Sequence, residues 1–447
     1  MDVPVAMIER FARPVPRYTS YPTAPQFRPD VDSDRYREWL AGVPAAESVS
    51  LYVHIPFCHS LCWYCGCNTR ATKRYDPVVP YLEALRKEID AVAGLVPPSI
   101  RVAHLHWGGG SPNYLAPADI TALAAALKAG FAFAQGAEFA IEIDPRYFTA
   151  EQVAALRAAG VNRASIGVQD FDTEVQEAIN RRQSLEMTRC TIAMCREAGV
   201  TSVNIDLIYG LPNQTTESVS RTLDQVIELE PDRVAVFGYA HLPQRFKAQR
   251  LIADAALPGA VERFAQSERM AGKLVEAGYR RVGFDHFAKP TDALAGEVLH
   301  RNFQGYTADA STTLIGFGAS AIGRLPQGYV QNAVPSADYI RRVKEGGLAV
   351  VRGCALSEDD RIRAHVIERL MCDLSFDRAI LRAKFGEGAS AVIREAEDLV
   401  AGEKDGLIEP TAQGFRVSEL GRPFVRSICA RFDAYLTTSG ARHSAGV

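Results

Sequence analysis

The segment Ser48–Asn68 reads SVSLYVHIPFCHSLCWYCGCN. Its first part, Ser48–Ile55, is a short apolar run that predicts a buried β-strand. Cys58, Cys62 and Cys65 follow the strand directly, with the spacing C-x3-C-x2-C. Since this loop follows a strand, we expect its thiols at the edge of the sheet where β/α proteins place their chemistry.

The same alternation of strand and helix continues beyond this segment. The predicted strands are Ser48–Ile55, Val102–Trp107, Glu138–Ile143, Arg163–Val168, Ser202–Ile208 and Arg233–Tyr239. The predicted helices are Val79–Ala93, Pro117–Ala129, Ala150–Ala159, Glu186–Ala198, Thr216–Leu229 and Gly259–Ala277. Strands that are apolar nearly throughout, such as VNIDLIYG, indicate a parallel sheet covered on both faces. We therefore predict an α/β fold, a partial β/α barrel of about six parallel strands, while an open doubly wound sheet stays possible.

The pattern predicts three regions along the chain. Residues 1–47, rich in Pro and Arg, are expected to form an irregular N-terminal arm that could act as a lid, and residues 48–298 the barrel. Residues 299–447 are expected to form a mostly helical domain, with helical periodicity over Leu356–Phe385 and Ala389–Ala401. The segment that begins at Asp405 reads as two short strands and a helix and resembles a winged-helix module. Since it has no strong basic excess, we expect it to pack against the barrel rather than read DNA.

The overall composition excludes several classes of protein. The 447 residues carry a net charge of −3, which gives no electrostatic reason to bind nucleic acid or an anionic membrane. No apolar run is long enough to span a membrane, and the first residues lack the apolar core of a signal peptide. We therefore expect a cytoplasmic protein, not inserted in a membrane, that is a monomer.

Four of the nine cysteines lie between Cys58 and Cys67, and the others are dispersed. Three thiolates at C-x3-C-x2-C can each bind one iron of a [4Fe–4S] cluster and leave the fourth iron open to a ligand. Cys67 follows Cys65 too closely to reach a separate iron easily, and we expect it to be a neighbour of the cluster. The sequence thus predicts one cluster with three ligands, Cys58, Cys62 and Cys65.

A zinc site is the alternative to this cluster. Zinc prefers four closed ligands, usually supplied as two separated pairs. Cys190 and Cys195 would be the second pair, but they lie five residues apart in a predicted helix and face different sides. The cysteine pattern therefore favours iron.

Five further motifs follow the later strands. They are HLHWGGGSP from His104, EIDP from Glu142, SIGVQDF from Ser165 with NRRQ from Asn180, NIDLIYGLP from Asn204 and FGYAH from Phe237. Glycines allow close backbone approach to a ligand, and carboxylate, amide and guanidinium groups can bind its polar atoms. Each motif also has a plain interpretation, such as a turn, a helix N-cap at Asp144 or a strand end. Asp206 is the exception, since a carboxylate in so apolar a run must be satisfied or is costly.

The spacing of the three cysteines, with Tyr64 just before the third, resembles the signature of the radical S-adenosylmethionine superfamily. That resemblance implies that the open iron chelates the methionine amino and carboxylate groups of S-adenosylmethionine. An electron from the cluster then breaks the sulfonium–carbon bond and produces a 5′-deoxyadenosyl radical.

Further motifs narrow the resemblance. They are PRYTSYPTAPQF, LYVHIPFCHSLCWYCGCN, HLHWGGGSPNYL, GVQDF, NIDLIYGLP, YAHLP, DHFAKP and HRNFQGYT. Together they resemble the family of oxygen-independent coproporphyrinogen III oxidases, which implies conversion of two propionates of coproporphyrinogen III to vinyls, giving protoporphyrinogen IX. An unidentified electron donor and electron acceptor are then required. A related family of haem-binding chaperones is the alternative, but it typically lacks Cys67 and the PRYTSYPT arm.

The resemblance also implies two molecules of S-adenosylmethionine and the residues around them. Tyr52, Glu142 and Ile322 match positions at one molecule. Tyr64, Gly109, Gly110, Gln169, Arg181, Asp206 and Ala240 match positions at the other. Ser111 stands where the family more often has Thr and keeps the hydroxyl. Catalytic roles are implied for Tyr52, Gln304 and Ile322, with Phe303 beside Gln304 shaping the site, and Arg17 is a candidate to meet a substrate carboxylate.

Overall fold

Strands and helices alternate through the barrel region of the chain. The structure is a computed structural model that describes residues 3–45, 47–296 and 298–436. The strands in chain order are β1 (Ser48–Ile55), β2 (Phe57–Cys58), β3 (Arg70–Ala71), β4 (Arg101–Gly109), β5 (Phe133–Ile143), β6 (Arg163–Gln169), β7 (Ser202–Tyr209), β8 (Arg233–Gly238), β9 (Arg280–Val282), β10 (His286–Ala288), β11 (His300–Asn302), β12 (Gly305–Thr307), β13 (Thr313–Phe317), β14 (Ile322–Leu325), β15 (Gly328–Asn332), β16 (Val350–Ala355), β17 (Ser375–Asp377), β18 (Ile408–Thr411) and β19 (Gly414–Val417).

The helices cover the sheet and build the C-terminal region. They are α1 (Val5–Phe11), α2 (Ser33–Ala41), α3 (Val78–Ala93), α4 (Pro117–Gly130), α5 (Ala150–Ala159), α6 (Thr173–Ala178), α7 (Leu185–Glu197), α8 (Thr216–Glu228), α9 (Ala260–Glu276), α10 (Ser336–Gly346), α11 (Glu358–Asp373), α12 (Arg378–Phe385), α13 (Ser390–Ala401) and α14 (Val425–Cys429). Capping explains why several begin where they do. The Thr149 and Gln152 side chains form a capping box at the start of α5, and Gly160 ends it in the left-handed conformation.

The central sheet has the order β16-β15-β14-β13-β1-β4-β5-β6-β7-β8-β10-β9. The seven strands from β13 to β8 are parallel, and the strands at both edges are antiparallel. Within the described residues β16 and β9 do not pair with each other, so the barrel is partial. The predicted fold class is confirmed, with one parallel strand more than expected, because β13 arrives from later in the chain.

The apolar core lies between the parallel strands and the helices around them. Val49, Leu51, Val53 and Ile55 of β1 are all buried, as are the apolar residues that face them from α3 and β4. All six predicted strands and all six predicted helices are present in this layer. Alternation in the sequence was therefore a reliable guide here, because each element has one dominant periodicity.

Two boundaries differ from the sequence prediction. The sheet does not end near residue 298 but continues through β13–β16 to Ala355, and the helical C-terminal region begins at Glu358. The predicted helical stretch Leu356–Phe385 is interrupted at Leu374, which has a positive φ of 56° and leads into the short strand β17. Residues 437–447 of the predicted C-terminal domain lie outside the described residues.

The N-terminal arm is not irregular as predicted, because it contains α1 and α2. Its middle part is attached to the C-terminal region. Arg426 donates from Nη2 to the Val15 carbonyl at 2.6 Å and from Nε to the Pro16 carbonyl at 3.1 Å. Tyr18 donates to Asp433 at 3.1 Å. The arm therefore belongs to the folded body of the protein along this stretch.

The C-terminal region packs helices α11–α14 around the small sheet β17-β19-β18. Phe376 stacks on Phe415 within the sheet, with ring centroids 5.4 Å apart, and on Phe432 outside the sheet at 6.1 Å. This arrangement agrees with the predicted winged-helix-like module. Among the described residues, no helix is both long enough and apolar enough to cross a membrane.

Glu88 on α3 is a buried carboxylate that joins this helix to α10 and to the part of the sheet formed by β13–β15. Its side chain accepts hydrogen bonds from the Gly318 N–H at 2.8 Å, Asn332 Nδ2 at 2.7 Å and the Tyr339 hydroxyl at 2.7 Å. Burial raises the pKa of Glu88 to about 7, although the three donors act in the opposite direction.

This buried carboxylate predicts a pH-dependent stability. Between pH 4.5, the ordinary pKa of a glutamic acid, and about pH 7, Glu88 stays protonated in the folded chain but ionises in the unfolded chain. The stabilisation that is fully present below pH 4.5 is therefore lost as the pH rises through about 7. Relative to a Glu88→Gln variant, the wild-type melting temperature should fall from about pH 5 to about pH 8. Glu83→Gln, an exposed change on the same helix, is the control. A constant difference between wild type and Glu88→Gln across this range would refute the assignment.

Candidate active site

The loop with the cysteines leaves the middle of the parallel sheet. β1 lies between β13 and β4, so the residues after Ile55 emerge at the C-terminal edge of three neighbouring parallel strands. β2 and β3 then pair Phe57 with Arg70 and Cys58 with Ala71. This short pairing anchors both ends of the cysteine loop beside the sheet.

The first sulfur atom lies in a polar setting inside the protein. Thr69 Oγ1 is 3.0 Å from Cys58 Sγ, and Ser111 donates to the same sulfur at 3.6 Å. Burial raises the pKa of the Cys58 thiol to about 11, while the two hydroxyl groups act to lower it. Hydroxyl donors of this kind are suited to a thiolate bound to a cation.

The second sulfur atom is next to two arginines. Arg146 Nη2 and Arg181 Nη1 donate to Cys62 Sγ at 3.4 and 3.5 Å. Asp144 pairs with both, at 2.7 Å from Arg146 and 3.5 Å from Arg181, and it also caps the turn after β5 as the sequence predicts. Two guanidinium groups therefore place positive charge next to this sulfur atom.

The third sulfur atom is supported by Cys67. The Cys67 N–H donates to Cys65 Sγ at 3.4 Å. A further hydrogen bond from the Cys67 side chain is the main reason that the pKa of the Cys65 thiol falls to about 7. Cys67 thus acts on Cys65 as a donor, and its expected role as a neighbour of the cluster stays a prediction.

The three cysteines of the loop face one common space. Cys58, Cys62 and Cys65 all line the same cavity, where each thiolate could bind a different iron of one cubane. Their donor set fits a [4Fe–4S] cluster.

The cavity has a volume of about 330 Å³, within the usual range of small-molecule sites. The C-terminal ends of β4–β8 form much of its wall. The residues predicted from the sequence that line it are Cys58, Cys62, Tyr64, Cys65, Gly109, Gly110, Ser111, Glu142, Gln169, Arg181, Asp206 and Gln304. We call this cavity the main chamber.

The glycines after β4 are required by close packing. Gly109 has a φ of +113°, and a Cβ there would lie 2.5 Å from the His54 ring. A Cβ at Gly110 would lie 2.6 Å from Thr69 Oγ1 and 2.7 Å from the Phe57 carbonyl oxygen. The backbone can therefore reach the chamber wall only without side chains at these positions.

Glu142 is held by two donors at the chamber wall. His106 Nε2 lies 3.1 Å from Oε1, and the Gly109 N–H donates to Oε2 at 3.1 Å. Burial alone would raise the pKa of Glu142, but the hydrogen bond and charge of His106 and the N–H of Gly109 lower it. The carboxylate is thus an ionised acceptor facing the chamber.

Asp206 is both satisfied and part of the chamber wall. Ser165 donates to Oδ2 and Asn204 Nδ2 donates to Oδ1, both at 2.8 Å. Burial raises the pKa of Asp206 despite these donors. The structural and the ligand-binding interpretations of this residue are therefore compatible.

The end of β6 is bent at the chamber. The pairing between β6 and β7 shifts register between Gly167 and Gln169, and Gln169 has a positive φ of 72°. Such a conformation is uncommon for a residue other than glycine and often occurs at functional sites. Arg181 donates to the Gly167 carbonyl and supports the bend.

A second cavity, of about 260 Å³, adjoins the main chamber. Tyr52, Phe303 and Ile322 line this side chamber, and Glu142 and Gln304 line both cavities. Gly109 also lines both cavities, so the two groups of residues that the resemblance assigns to two ligands are separated only in part in the structure.

Two candidates lie away from the chamber walls. Ala240 does not line either chamber, and the residue of that strand end in the main chamber is Phe237. The Ala240 and Tyr64 carbonyls accept hydrogen bonds from the same Gln249 amide, at 3.0 and 2.9 Å. Arg17 donates to the Gly238 carbonyl at 2.6 Å, so the structure places it beside the end of β8 rather than among the chamber residues.

Several chamber residues were not predicted. They are His106, Arg146, Arg163, Ser165, Asn204, His286 and Tyr306. His106, Ser165 and Asn204 stand within or beside quoted motifs, so their position after a strand was an available signal. His286 and Tyr306 come from DHFAKP and HRNFQGYT, whose place in space could not be inferred because they lie on the short strands β10 and β12, outside the six strands that the alternation predicts.

Comparison with known proteins agrees with this geometry. Residues 52–226 match the Radical SAM superfamily, and residues 356–424 match the HemN C-terminal domain. The oxygen-independent coproporphyrinogen III oxidase of Bradyrhizobium diazoefficiens is 47% identical over 437 residues, 97% of each chain. The Escherichia coli protein of the same name is 44% identical over 441 residues, 98% of this chain and 96% of the other.

A solved structure gives the same result. The coproporphyrinogen III oxidase of Escherichia coli, described as a radical SAM enzyme, superposes with a TM-score of 0.91 at 43% identity, covering 98% of this chain and 100% of that chain. The partial barrel and the cysteine loop define a radical S-adenosylmethionine enzyme. Within that class, the chain belongs to the family of oxygen-independent coproporphyrinogen III oxidases.

The contact between Cys67 and Cys65 leads to a prediction. Cys67→Ser keeps the backbone N–H and a side-chain donor near Cys65, so anaerobically reconstituted protein should retain about four irons per chain. Cys62→Ala removes a ligand and should lose the cluster. Iron and sulfide analysis of both variants measures this. Loss of iron from Cys67→Ser to the level of Cys62→Ala would contradict the assignment of three ligands.

Proposed function

We propose that this chain catalyses the anaerobic oxidative decarboxylation of two propionates of coproporphyrinogen III to vinyls, a step of haem biosynthesis that gives protoporphyrinogen IX. The main support is one observation. Cys58, Cys62 and Cys65 line a chamber whose other walls are the strand ends of a fold shared, over nearly the whole chain, with coproporphyrinogen III oxidases.

Cys58, Cys62 and Cys65 would hold the [4Fe–4S] cluster. When bound, the cluster and S-adenosylmethionine supply a 5′-deoxyadenosyl radical that abstracts hydrogen from the propionate carbon next to the pyrrole. The chain supplies hydrogen bonds to each sulfur, and those from Arg146 and Arg181 carry positive charge. Such contacts adjust the reduction potential of a cluster.

We further propose that two molecules of S-adenosylmethionine bind. The two adjoining cavities support this, since Tyr52 and Ile322 line the side chamber while Gln169 and Asp206 line the main chamber. Glu142 lines both and is an ionised acceptor, suited to an ammonium group or a ribose hydroxyl. Asp206 is suited to ribose hydroxyl groups, because Ser165 and Asn204 fix its orientation.

The remaining chain excludes water and limits side reactions. A radical of this reactivity requires a dry chamber. The hairpin β11–β12 brings Phe303 and Gln304 against the side chamber, and Tyr306 and His286 form part of the main chamber. Decarboxylation of each propionate releases carbon dioxide and leaves one electron for an external acceptor.

The test is the product mixture of an anaerobic incubation. Wild-type protein with dithionite, S-adenosylmethionine, an electron acceptor and coproporphyrinogen III should yield protoporphyrinogen IX, 5′-deoxyadenosine and carbon dioxide. Cys62→Ala should yield none of them, because it cannot hold the cluster. Chromatography of the oxidised porphyrins measures the result. Cluster-loaded wild type that binds haem but leaves coproporphyrinogen III unchanged would instead indicate a haem-binding chaperone.

A further inference from the structure

A small, positively charged cavity lies behind the hairpin β11–β12. It has a volume of about 30 Å³. A single water requires roughly 10–15 Å³, so the space accommodates a carboxylate group but no ring system. Arg301, Arg324 and Thr19 are among its lining residues. We call it the arginine cavity.

The arginine cavity adjoins the side chamber. Phe303 and Leu314 line both spaces, so these two side chains form the wall between them. A ligand in the side chamber therefore needs to extend only one short arm past Phe303 to reach the arginines. The propionate of a tetrapyrrole is such an arm.

Arg301 is the main observation. Its side chain is only 6% exposed, yet Nε and Nη1 have no hydrogen-bond partner among the described residues. Its guanidinium lies over the Tyr306 ring, 4.4 Å from the ring centroid, and pairs with Asp285, which lies 3.8 Å from Nη1 and also binds His286 at 2.7 Å. A buried guanidinium with two unpaired nitrogen atoms is costly unless an anion completes its hydrogen bonds.

Arg324 provides a second positive charge in the same cavity. Within the described residues its guanidinium forms no hydrogen bond or ion pair, although other arginines of this region do. The one acid that lines the cavity, Asp309, is already bound by Ser50 and by His104 at 3.1 Å. Glu368, next to the cavity, accepts from His300 at 3.2 Å. The hydrogen bond of His300 and the charges of Arg324 and Arg369 lower the pKa of Glu368, but Glu368 pairs directly with Arg369, at 3.7 Å, and interacts with Arg324 only at longer range.

Gln304 points to the same conclusion from the other side of the hairpin. Its Nε2 is buried without a partner among the described residues, and it lines both chambers. Arg301 and Gln304, both in the hairpin β11–β12, thus have polar atoms without hydrogen-bond partners among the described residues. A ligand with an anionic arm that lies against the turn at Phe303 and Gln304 would supply hydrogen-bond partners for these atoms.

We propose that the arginine cavity binds one propionate carboxylate of the substrate, with Arg301 and Arg324 as the binding residues; this rests on the function proposed above. The bound propionate is one that does not react in that turnover. Two guanidinium groups stabilise a carboxylate relative to neutral carbon dioxide, so they would slow the loss of a carboxylate that they hold. The site therefore anchors the tetrapyrrole and exposes a different propionate to the radical.

Steady-state kinetics test this assignment. In Arg324→Gln and Arg301→Gln the KM for coproporphyrinogen III should rise by about tenfold or more, as expected for loss of a charge-assisted hydrogen bond. The kcat should fall by less than about threefold, because the anchor acts on binding. Arg341→Gln, on the exposed face of α10, is the matched control and should leave both constants unchanged.

Two further measurements separate the possible failures. In Arg324→Gln, the iron content and the amount of 5′-deoxyadenosine formed in the absence of porphyrinogen should match wild type. The affinity for fluorescent coproporphyrin III, which keeps all four propionates, should decrease as the KM increases. If Arg301→Gln does not fold because Asp285 loses its cation, Arg324→Gln carries the test alone. An unchanged KM in Arg324→Gln, or a fall in kcat alone, overturns the anchor. Inactive wild type would overturn the proposed function instead.

Discussion

The structure depends on the position of β1 in the sheet. This strand is buried along most of its length and pairs in parallel with β13 on one side and β4 on the other. Val53 is in register with Phe317 and with Trp107, so the residues after Ile55 emerge between two strand ends. The cysteine loop is thus placed on a rigid part of the fold, and its sulfur atoms face the ends of the strands that follow.

Buried charge in the chamber is arranged in matched groups. Asp144 balances Arg146 and Arg181, and His106 supports Glu142. Because each group has a partner, the chamber can keep several ionised side chains in a region of low dielectric constant. Arg301 pairs with Asp285, but two of its guanidinium nitrogen atoms lack hydrogen bonds among the described residues. These two unsatisfied donors are the physical basis for assigning Arg301 to a substrate carboxylate.

Much of the fold could be predicted from the sequence, because β1 and the strands up to β8 have simple periodicity and helices between them. The seventh parallel strand, β13, could not be predicted as a neighbour of β1, since more than half of the chain separates the two. The arm was wrongly expected to be irregular, because α1 is stabilised by contact with the C-terminal cluster and α2 by contact with the main core, rather than by local pattern.

The candidate site, like the fold, could be predicted from the sequence only in part. Strand-end motifs predicted the chamber residues from Cys58 to Asp206, because parallel strands bring their ends together. Ala240 lines neither chamber, and because the motif at the end of β8 was expected to contact a ligand through its backbone, its assignment stays a prediction. Arg301 and Arg324 could not be identified as a pair from the sequence, because β11 and β14 meet around a cavity that only the folded chain defines.

The central claim is that three cysteines hold a cluster whose fourth iron is open to S-adenosylmethionine. The most direct measurement is the electron paramagnetic resonance spectrum of the reduced protein before and after addition of S-adenosylmethionine. The account predicts a [4Fe–4S]1+ signal whose g values change on addition, because the open iron gains amino and carboxylate ligands. A cluster signal that saturating S-adenosylmethionine leaves unchanged would contradict it.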